Sequence, residues 1–181
     1  MRNPLFAVFF MLLLLAVTAV PSNAQFDKGQ NYVGGRIGIG YYGSAFSFGA
    51  DYEYGFADVG EYGPGRIGIG GTIDYWGWSD GSGDNYWSYS WVPIGVMAYY
   101  HLNLDNRKLD PFGGIGLGYE VVTATWHSSY GSLYNGSAGY SSGIYITGQV
   151  GVRYFFSPNL AAQARLGFGA SLLSVGLDYK F

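Results

Sequence analysis

Side-chain polarity alternates along this chain with a period of two. In eight successive segments apolar side chains recur at every second position, interrupted only by an occasional glycine, and none of these positions is charged. A period of two is typical of β-strands, whose successive side chains point to opposite faces of a sheet. The sequence therefore predicts eight strands, within residues 33–41, 46–56, 67–75, 92–100, 115–121, 144–154, 160–168 and 173–181.

The first 24 residues have the layout of a secretory signal peptide. A positive charge at Arg2 precedes an apolar run, Leu5 to Val20, and small residues lead to Ala24. The run of roughly 16 residues is short for a membrane helix, which usually needs about 20. We predict cleavage after Ala24 and a single domain over residues 25–181. No later apolar run is long enough for a membrane helix, so a helical membrane protein is excluded.

Composition decides which face of the strands meets water. Only 12% of the residues are charged, 19% are aromatic and 31 are glycine. A soluble barrel would then have an exterior made largely of glycine with few charges, which is a poor surface in water. A transmembrane barrel reverses the arrangement, because its apolar side chains face lipid and its polar ones fill the lumen. We predict an all-β fold, an eight-stranded antiparallel up-and-down transmembrane β-barrel, with Tyr and Trp near the strand ends forming girdles at the membrane interfaces.

The connections between strands alternate in character. Residues 79–90 and 127–142 are long, small-residue-rich and Tyr-rich, and we expect them outside the cell. Residues 57–65, 103–110 and 157–159 are expected to turn on the periplasmic side, the last two through Asp-Asn and Pro-Asn turn chemistry. The long connections resemble adaptable binding surfaces in composition, so an extracellular ligand is a possible partner.

Three stretches carry a resemblance to a known family. They are the C-terminal SLLSVGLDYKF and, before it, KLDPFGGIGLGY and GVRYFFSPNLAAQARLGFG. Together they resemble the small eight-stranded outer-membrane β-barrels of Gram-negative bacteria, the OmpA/OmpX type. The resemblance implies an integral protein of the cell outer membrane. It also implies that Tyr179 and Phe181 on the last strand are the signal for the barrel-assembly machinery. Its other partner is the lipid bilayer, and we expect a monomer.

The inward positions carry charges that we expect to pair with one another across the lumen. Arg36 is expected beside Asp51, Glu53 and Asp178, and Arg165 beside Asp178. Pairing is required because an unpaired buried charge costs several kcal/mol. The interior of an eight-stranded barrel is just wide enough to be filled by side chains, so we predict a lumen plugged by ion pairs. The alternative is a narrow channel or a small-solute pocket built from the same residues. The predicted network comprises Arg36, Asp51, Glu53, Arg66, Asp74, Glu120, Arg153, Arg165, Asp178 and Lys180.

The hexapeptide GRIGIG occurs twice, at residues 35–40 and 65–70, with related repeats at 114–118 and 165–169. A phosphate-binding loop would need a helix after the glycines, and none is predicted. We interpret the repeats as barrel wall, in which inward glycines leave room for arginine or aromatic side chains. Since they fall on alternate strands, Arg36, Arg66 and Arg165 are expected to lie at about one height.

Other function classes are disfavoured. His127 and Ser129 have a His-x-Ser spacing that resembles that of lipid A deacylating barrels. A catalytic histidine also needs an acidic residue within reach, and the next acid, Asp178, is expected near the opposite rim. We therefore predict no enzyme and keep a lipid-modifying activity as a remote alternative. Two histidines and no cysteine predict no metal or other cofactor. The absence of a basic patch predicts no nucleic-acid partner. The expected role is structural or a cell-surface interaction of the adhesion or resistance kind.

Overall fold

A computed structural model describes residues 26–40, 46–60, 63, 65–128 and 141–181 of the chain. The predicted signal peptide lies outside the described residues. The described residues form eight strands: β1 (Asn31–Ile39), β2 (Phe46–Asp58), β3 (Gly65–Ser82), β4 (Asn85–Leu102), β5 (Leu109–His127), β6 (Gly143–Phe155), β7 (Leu160–Phe168) and β8 (Leu173–Lys180). All neighbours pair antiparallel, and β8 closes on β1, which confirms the predicted up-and-down barrel.

The register of β1 shows how the barrel closes. Ile37 lies opposite Phe48 of β2 on one side and opposite Val175 of β8 on the other. Outward residues of neighbouring strands therefore stand beside one another around the wall. Closure removes free strand edges, so the backbone groups of the strands find hydrogen-bond partners within the barrel.

The outer face is apolar and the inner face is polar. Val96, Ile115 and Ile144 point outward and are 67%, 64% and 82% exposed, whereas Glu53 and Arg153 point inward and are almost completely buried. This polarity is the reverse of that of a soluble protein and confirms the predicted transmembrane barrel. None of the described residues forms a helix long and apolar enough to cross a membrane.

One end of the barrel, called here the terminal end, holds the start of β1, the end of β8 and the turns after β2, β4 and β6. The other end is called the loop end. The turn between β4 and β5 is shorter than predicted, because β5 begins at Leu109 and includes Asp110.

The prediction of a long external loop at residues 79–90 is wrong. Strand β3 continues to Ser82 and β4 begins at Asn85, so the connection is a tight turn in which Gly83 has a φ of 64°. The pairing of Trp78 with Tyr89 shows that the ladder persists through this region. Most of the second predicted loop, residues 129–140, lies outside the described residues, although His127 belongs to β5.

Outward residues change character near the loop end. On β3 the outward series passes from Ile73 and Tyr75 to Gly77 and Ser79. On β4 and β5 it passes to Ser88, Ser90, Thr123 and Thr125. A strand of 18 residues spans about 60 Å at roughly 3.4 Å per residue, which exceeds the hydrocarbon core even when the strand is tilted. The upper parts of β3, β4 and β5 therefore project beyond the bilayer.

The tryptophans do not form an interface girdle, contrary to the prediction. All five, Trp76, Trp78, Trp87, Trp91 and Trp126, occupy inward positions on β3, β4 and β5. Tyrosines such as Tyr52, Tyr75 and Tyr119 lie outward and are about half exposed. The reason is that the three strands extend past the membrane, where solvent meets the outer face and the large rings pack on the inner one.

Two adjacent glycines of β1 face opposite environments. A Cβ atom on Gly34 would overlap the carboxylates of Asp178 and Asp51 and the amide of Gln163, whereas a Cβ on Gly35 would meet open space. The inward glycine therefore makes room for charged side chains, as the repeats indicated. Neither residue has a positive φ.

This contrast provides a matched pair of variants. We expect Gly34→Val to lower the free energy of unfolding by about 1–3 kcal/mol, because the added atoms overpack the lumen. Gly35→Val should change it by less than about 0.5 kcal/mol, since it adds a side chain to the outer face. Urea unfolding in lipid vesicles, followed by tryptophan fluorescence, measures both. Equal losses from the two variants would contradict the assigned faces.

Candidate functional site: the lumenal charge network

The barrel interior holds a set of buried charged side chains to which every strand contributes. We call this set the lumenal charge network. It consists of Arg36, Asp51, Glu53, Asp74, His101, Asp110, Arg153, Arg165 and Asp178, and each is at most 7% exposed.

Arg153 of β6 is the centre of the half nearer the terminal end. Its Nη2 donates to Glu53 Oε2 at 2.6 Å and its Nε donates to Asp178 Oδ2 at 2.7 Å. Its Nη1 lies 3.5 Å from Asp110 Oδ2. Glu53 belongs to β2 and Asp178 to β8, so one guanidinium joins strands that are not its neighbours. Arg153 therefore ties the walls together across the lumen.

Asp51 of β2 is the bridge in the other half. One of its oxygens accepts a hydrogen bond from Arg36 Nη1, and the other accepts one from Arg165 Nη2 at 2.8 Å. Arg36 Nη2 also donates to Asp74 Oδ2 at 2.6 Å and to the hydroxyl of Thr72. Strands β1, β2, β3 and β7 are thereby connected through side chains.

His101 lies between two carboxylates. Its Nε2 is 2.6 Å from Glu53 Oε1, and its Nδ1 is 2.8 Å from Asp110 Oδ1. A neutral imidazole carries one N–H, whereas the imidazolium carries two and can donate to both partners. The geometry thus fits a charged His101.

The charges of the network nearly balance. With His101 charged, four positive groups face five carboxylates; the positive groups are Arg36, His101, Arg153 and Arg165, and the carboxylates are Asp51, Glu53, Asp74, Asp110 and Asp178. Charge-assisted hydrogen bonds of this kind are about twice as strong as neutral ones. Removal of one member would leave a buried charge without its partner, which costs far more than the pair contributes.

The structure brings together seven of the ten residues predicted for the network. Arg66, Glu120 and Lys180 lie elsewhere. Arg66 pairs with Asp27 and Asp58 at the terminal end, 3.2 and 3.1 Å away, and Lys180 lies 3.4 Å from Asp27. The predicted ring of arginines at one height is therefore wrong for Arg66.

Glu120 lies toward the loop end, where Oε2 accepts a hydrogen bond from Trp91 Nε1 at 3.0 Å. It takes part in no ion pair among the described residues.

The predicted pairings with Asp178 are also wrong. Arg36 and Arg165 both meet Asp51, while Asp178 pairs with Arg153. The physical reason is that an arginine side chain is long enough to cross the narrow lumen, so proximity on neighbouring strands does not determine the partner. His101 and Asp110 are not among the residues predicted for the network, and Asp110 falls within the predicted turn at residues 103–110. A signal for Asp110 is its spacing of two from Phe112, which continues the inward series of β5.

Phe26 closes the network toward the terminal end. Its ring stacks on His101 with centroids 3.6 Å apart and is almost completely buried with Tyr32, Phe155 and Ala161. Its carbonyl oxygen accepts a hydrogen bond from Arg66. Phe26, which precedes β1, therefore lies inside the terminal end of the barrel.

The remaining candidate residues stay outside the network. His127 stacks on Tyr86 with centroids 4.5 Å apart, and Ser129 lies outside the described residues. Tyr179 stacks on Phe181, whose backbone N–H donates to the Asn31 carbonyl oxygen at 2.9 Å. Recognition of these two residues by the assembly machinery stays a prediction. The described part of the chain has no group of three His, Cys, Asp or Glu residues arranged to hold a metal ion.

This architecture and sequence were compared with those of known proteins. A family model described as "Outer membrane protein beta-barrel domain" matches residues 10–181. The outer membrane protein OprG from Pseudomonas aeruginosa is similar in structure with a TM-score of 0.58 and 14% identity, over 88% of this chain and 99% of that one. The N-terminal β-barrel domain of Pseudomonas aeruginosa OprF is similar with a TM-score of 0.55 and 16% identity, over 85% of this chain and 98% of that one.

A third similar structure is Ail, the attachment invasion locus protein of Yersinia pestis, solved in complex with the heparin analogue sucrose octasulfate. It gives a TM-score of 0.52 and 16% identity, over 86% of this chain and all of that one. At these identities the likeness shows the fold. No protein of curated function matches the sequence significantly.

Arg153 offers the sharpest test of the network's energetics. We expect Arg153→Leu to lower the free energy of unfolding by about 3–5 kcal/mol, because Glu53, Asp110 and Asp178 lose their shared cation. Arg107→Leu, in the exposed turn between β4 and β5, should change it by less than about 0.5 kcal/mol. Urea unfolding in lipid vesicles compares the two. A loss for Arg153→Leu no larger than the control's would show that the network does not hold the walls together.

Proposed function

Because this chain belongs to the outer membrane protein β-barrel domain family, we propose that it is a closed outer-membrane barrel with a structural or cell-surface interaction role. The lumen is closed by the lumenal charge network. The observation that carries this proposal is the reach of two arginines across the lumen, from Arg153 to Glu53 and from Arg165 to Asp51.

Closure by ion pairs is energetically sound. A hydrated ion passing along the lumen would have to displace several buried pairs, and each separated charge would be left in a low-dielectric interior. The stacked rings of Phe26 and His101 obstruct the same path nearer the terminal end. Two barriers of different chemistry therefore lie in series.

The loop end is assigned to the outside of the cell. The start of β1 and the end of β8 lie at the terminal end, and the longest connection, residues 128–142, joins β5 to β6 at the loop end. Outer-membrane barrels have short turns on the periplasmic side and longer loops outside. The projecting parts of β3, β4 and β5 would then stand above the membrane. A surface role rests on this projection and on the Tyr-rich and Ser-rich composition of residues 127–142.

The charge of the loop end indicates a different partner from that of the Ail structure, which holds a sulfated ligand. The chain has no Lys or Arg between Arg66 and Arg107 or between Lys108 and Arg153. Asp80, Asp84 and Glu120 lie in these stretches. A polyanion would meet like charge here, so we do not extend that ligand to this protein.

A narrow channel is the second candidate. A small enclosed polar cavity lies beside the network and is lined by Arg36, Gln149, Arg165 and Ser171, among others. Arg165 Nη1 has no hydrogen-bond partner among the described residues. Such a polar gap could hold water and mark the start of a conducting path.

Planar-bilayer recording distinguishes the two candidates. We expect no discrete conductance from the wild-type protein, and conductance steps from the double variant Arg36→Ala, Arg165→Ala, because its unpaired carboxylates draw in water and cations. Arg107→Ala, in the exposed turn between β4 and β5, is the matched control and should stay closed. Discrete wild-type currents would contradict closure and favour the channel.

The surface role has a separate test. We expect cells that display the protein to bind surfaces coated with extracellular matrix more strongly than cells that carry an empty vector. Deletion of residues 128–139, most of which lie outside the described residues, should reduce binding to the vector level while the barrel still inserts. Undiminished binding after the deletion, or none in the wild type, would count against a role for this connection.

A further inference from the structure

The inner faces of β3, β4 and β5 form a wall of aromatic rings at the loop end. The rings lie in cross-strand rows: Trp76 is opposite Trp91, Trp78 opposite Tyr89, and Trp87 opposite Trp126. We call these six residues the aromatic wall. Trp76 and Trp91 stack with centroids 5.0 Å apart, and Trp78 and Tyr89 stack at 4.8 Å.

Exposure of the rings increases toward the loop end. Trp76 and Trp91 are 2% and 4% exposed, whereas Trp78, Trp87 and Trp126 are half-buried. Trp87 and Trp126 meet at a tilt of 53° rather than face to face. The upper rings of the wall thus keep accessible surface.

Carboxylates lie above and below the aromatic rows. Asp80 is opposite Trp87 in the top row and is exposed. Glu120, opposite Pro93, stands one row below Trp91 and accepts its indole N–H at 3.0 Å. Asp74 lies two residues below Trp76 on the same face of β3, is 2% exposed, and has one oxygen without a hydrogen-bond partner among the described residues.

The charge around the wall is one-sided. The sequence places no Lys or Arg on the parts of β3, β4 and β5 near the loop end, or in the connections at residues 83–84 and 128–142 at this end. The cations nearest below belong to the network, where Arg36 is already paired with Asp51 and Asp74. A ligand that suits this surface is therefore positive and presents an apolar exterior to the rings.

We propose that the aromatic wall binds a small, soluble organic ammonium ion. Indole faces attract such cations through the ring quadrupole, with Trp the best of the aromatic side chains. Carboxylates at Glu120 and Asp80 add Coulombic attraction that a neutral or anionic ligand would lack. The site lies on the loop-end side of the network, so it does not depend on whether the lumen conducts.

Tryptophan fluorescence reports on this site directly, because all five tryptophans of the chain are in the wall. The refolded protein in lipid nanodiscs is titrated with choline chloride, with sodium chloride adjusted to hold the ionic strength constant. We expect a saturable fluorescence change. The uncharged isostere, in which a tert-butyl group replaces trimethylammonium, should produce none. An absent choline response, or an equal response to the isostere, overturns the proposal.

Variants assign the response to the proposed residues. Glu120→Gln keeps an acceptor for Trp91 but removes the charge, and should raise the choline Kd roughly fivefold or more. Asp105→Asn, in the exposed turn at the terminal end, should leave it unchanged. Trp87→Leu, followed by calorimetry, is a second variant that tests the wall if Glu120→Gln fails to insert. An unchanged Kd in both Glu120→Gln and Trp87→Leu would place binding elsewhere and overturn the proposal.

Discussion

Pairing of buried charges inside a narrow lumen is the constraint on which the rest of this structure depends. Asp51 and Glu53 on β2 are both buried, and each must find a cation or carry a large desolvation cost. Guanidinium groups meet this need because they are planar, always charged and able to donate to several carboxylates at once. Arg153 donates in this way to Glu53 and Asp178. The glycines then follow, since a side chain at Gly34 would occupy the space that Asp51 and Asp178 use.

The same constraint divides the barrel along its axis. Among the described residues, the Lys and Arg side chains lie in the network or at the terminal end, where Arg66 and Lys180 pair with Asp27. The loop end has carboxylates and indoles instead. Segregation of this kind gives the barrel a middle in which the charges are paired and a loop end that carries carboxylates and indoles without Lys or Arg. A mutation in the network should therefore affect stability more than a mutation at the loop end.

Much of the fold could be predicted from sequence, and the limits have physical causes. Alternation identified the outward residues, such as Ile37 and Val175, because the period of a strand is fixed by backbone geometry. Alternation does not show where the membrane ends along a strand, and the predicted tryptophan girdle is wrong for that reason. Turn chemistry at residues 103–110 concealed Asp110, whose strand begins one residue earlier. Individual ion pairs, such as that of Arg165 with Asp51, could not be predicted. They depend on how far a flexible side chain extends across the lumen, and sequence periodicity carries no information on that distance.

The position of His101 shows how the buried charges and the aromatic rings around them depend on one another. Its two ring nitrogens face Glu53 and Asp110, and its ring face is covered by Phe26. The carboxylates hold the imidazole in one orientation, and that orientation presents the flat surface on which Phe26 stacks. Arg153 lies against the same phenylalanine ring, 5.9 Å from its centroid, and also against Phe112 at 4.9 Å. The ion pairs and the aromatic packing are thus parts of one arrangement: the aromatic rings exclude water from the charges, which strengthens the pairs, and the pairs orient the groups on which the rings pack.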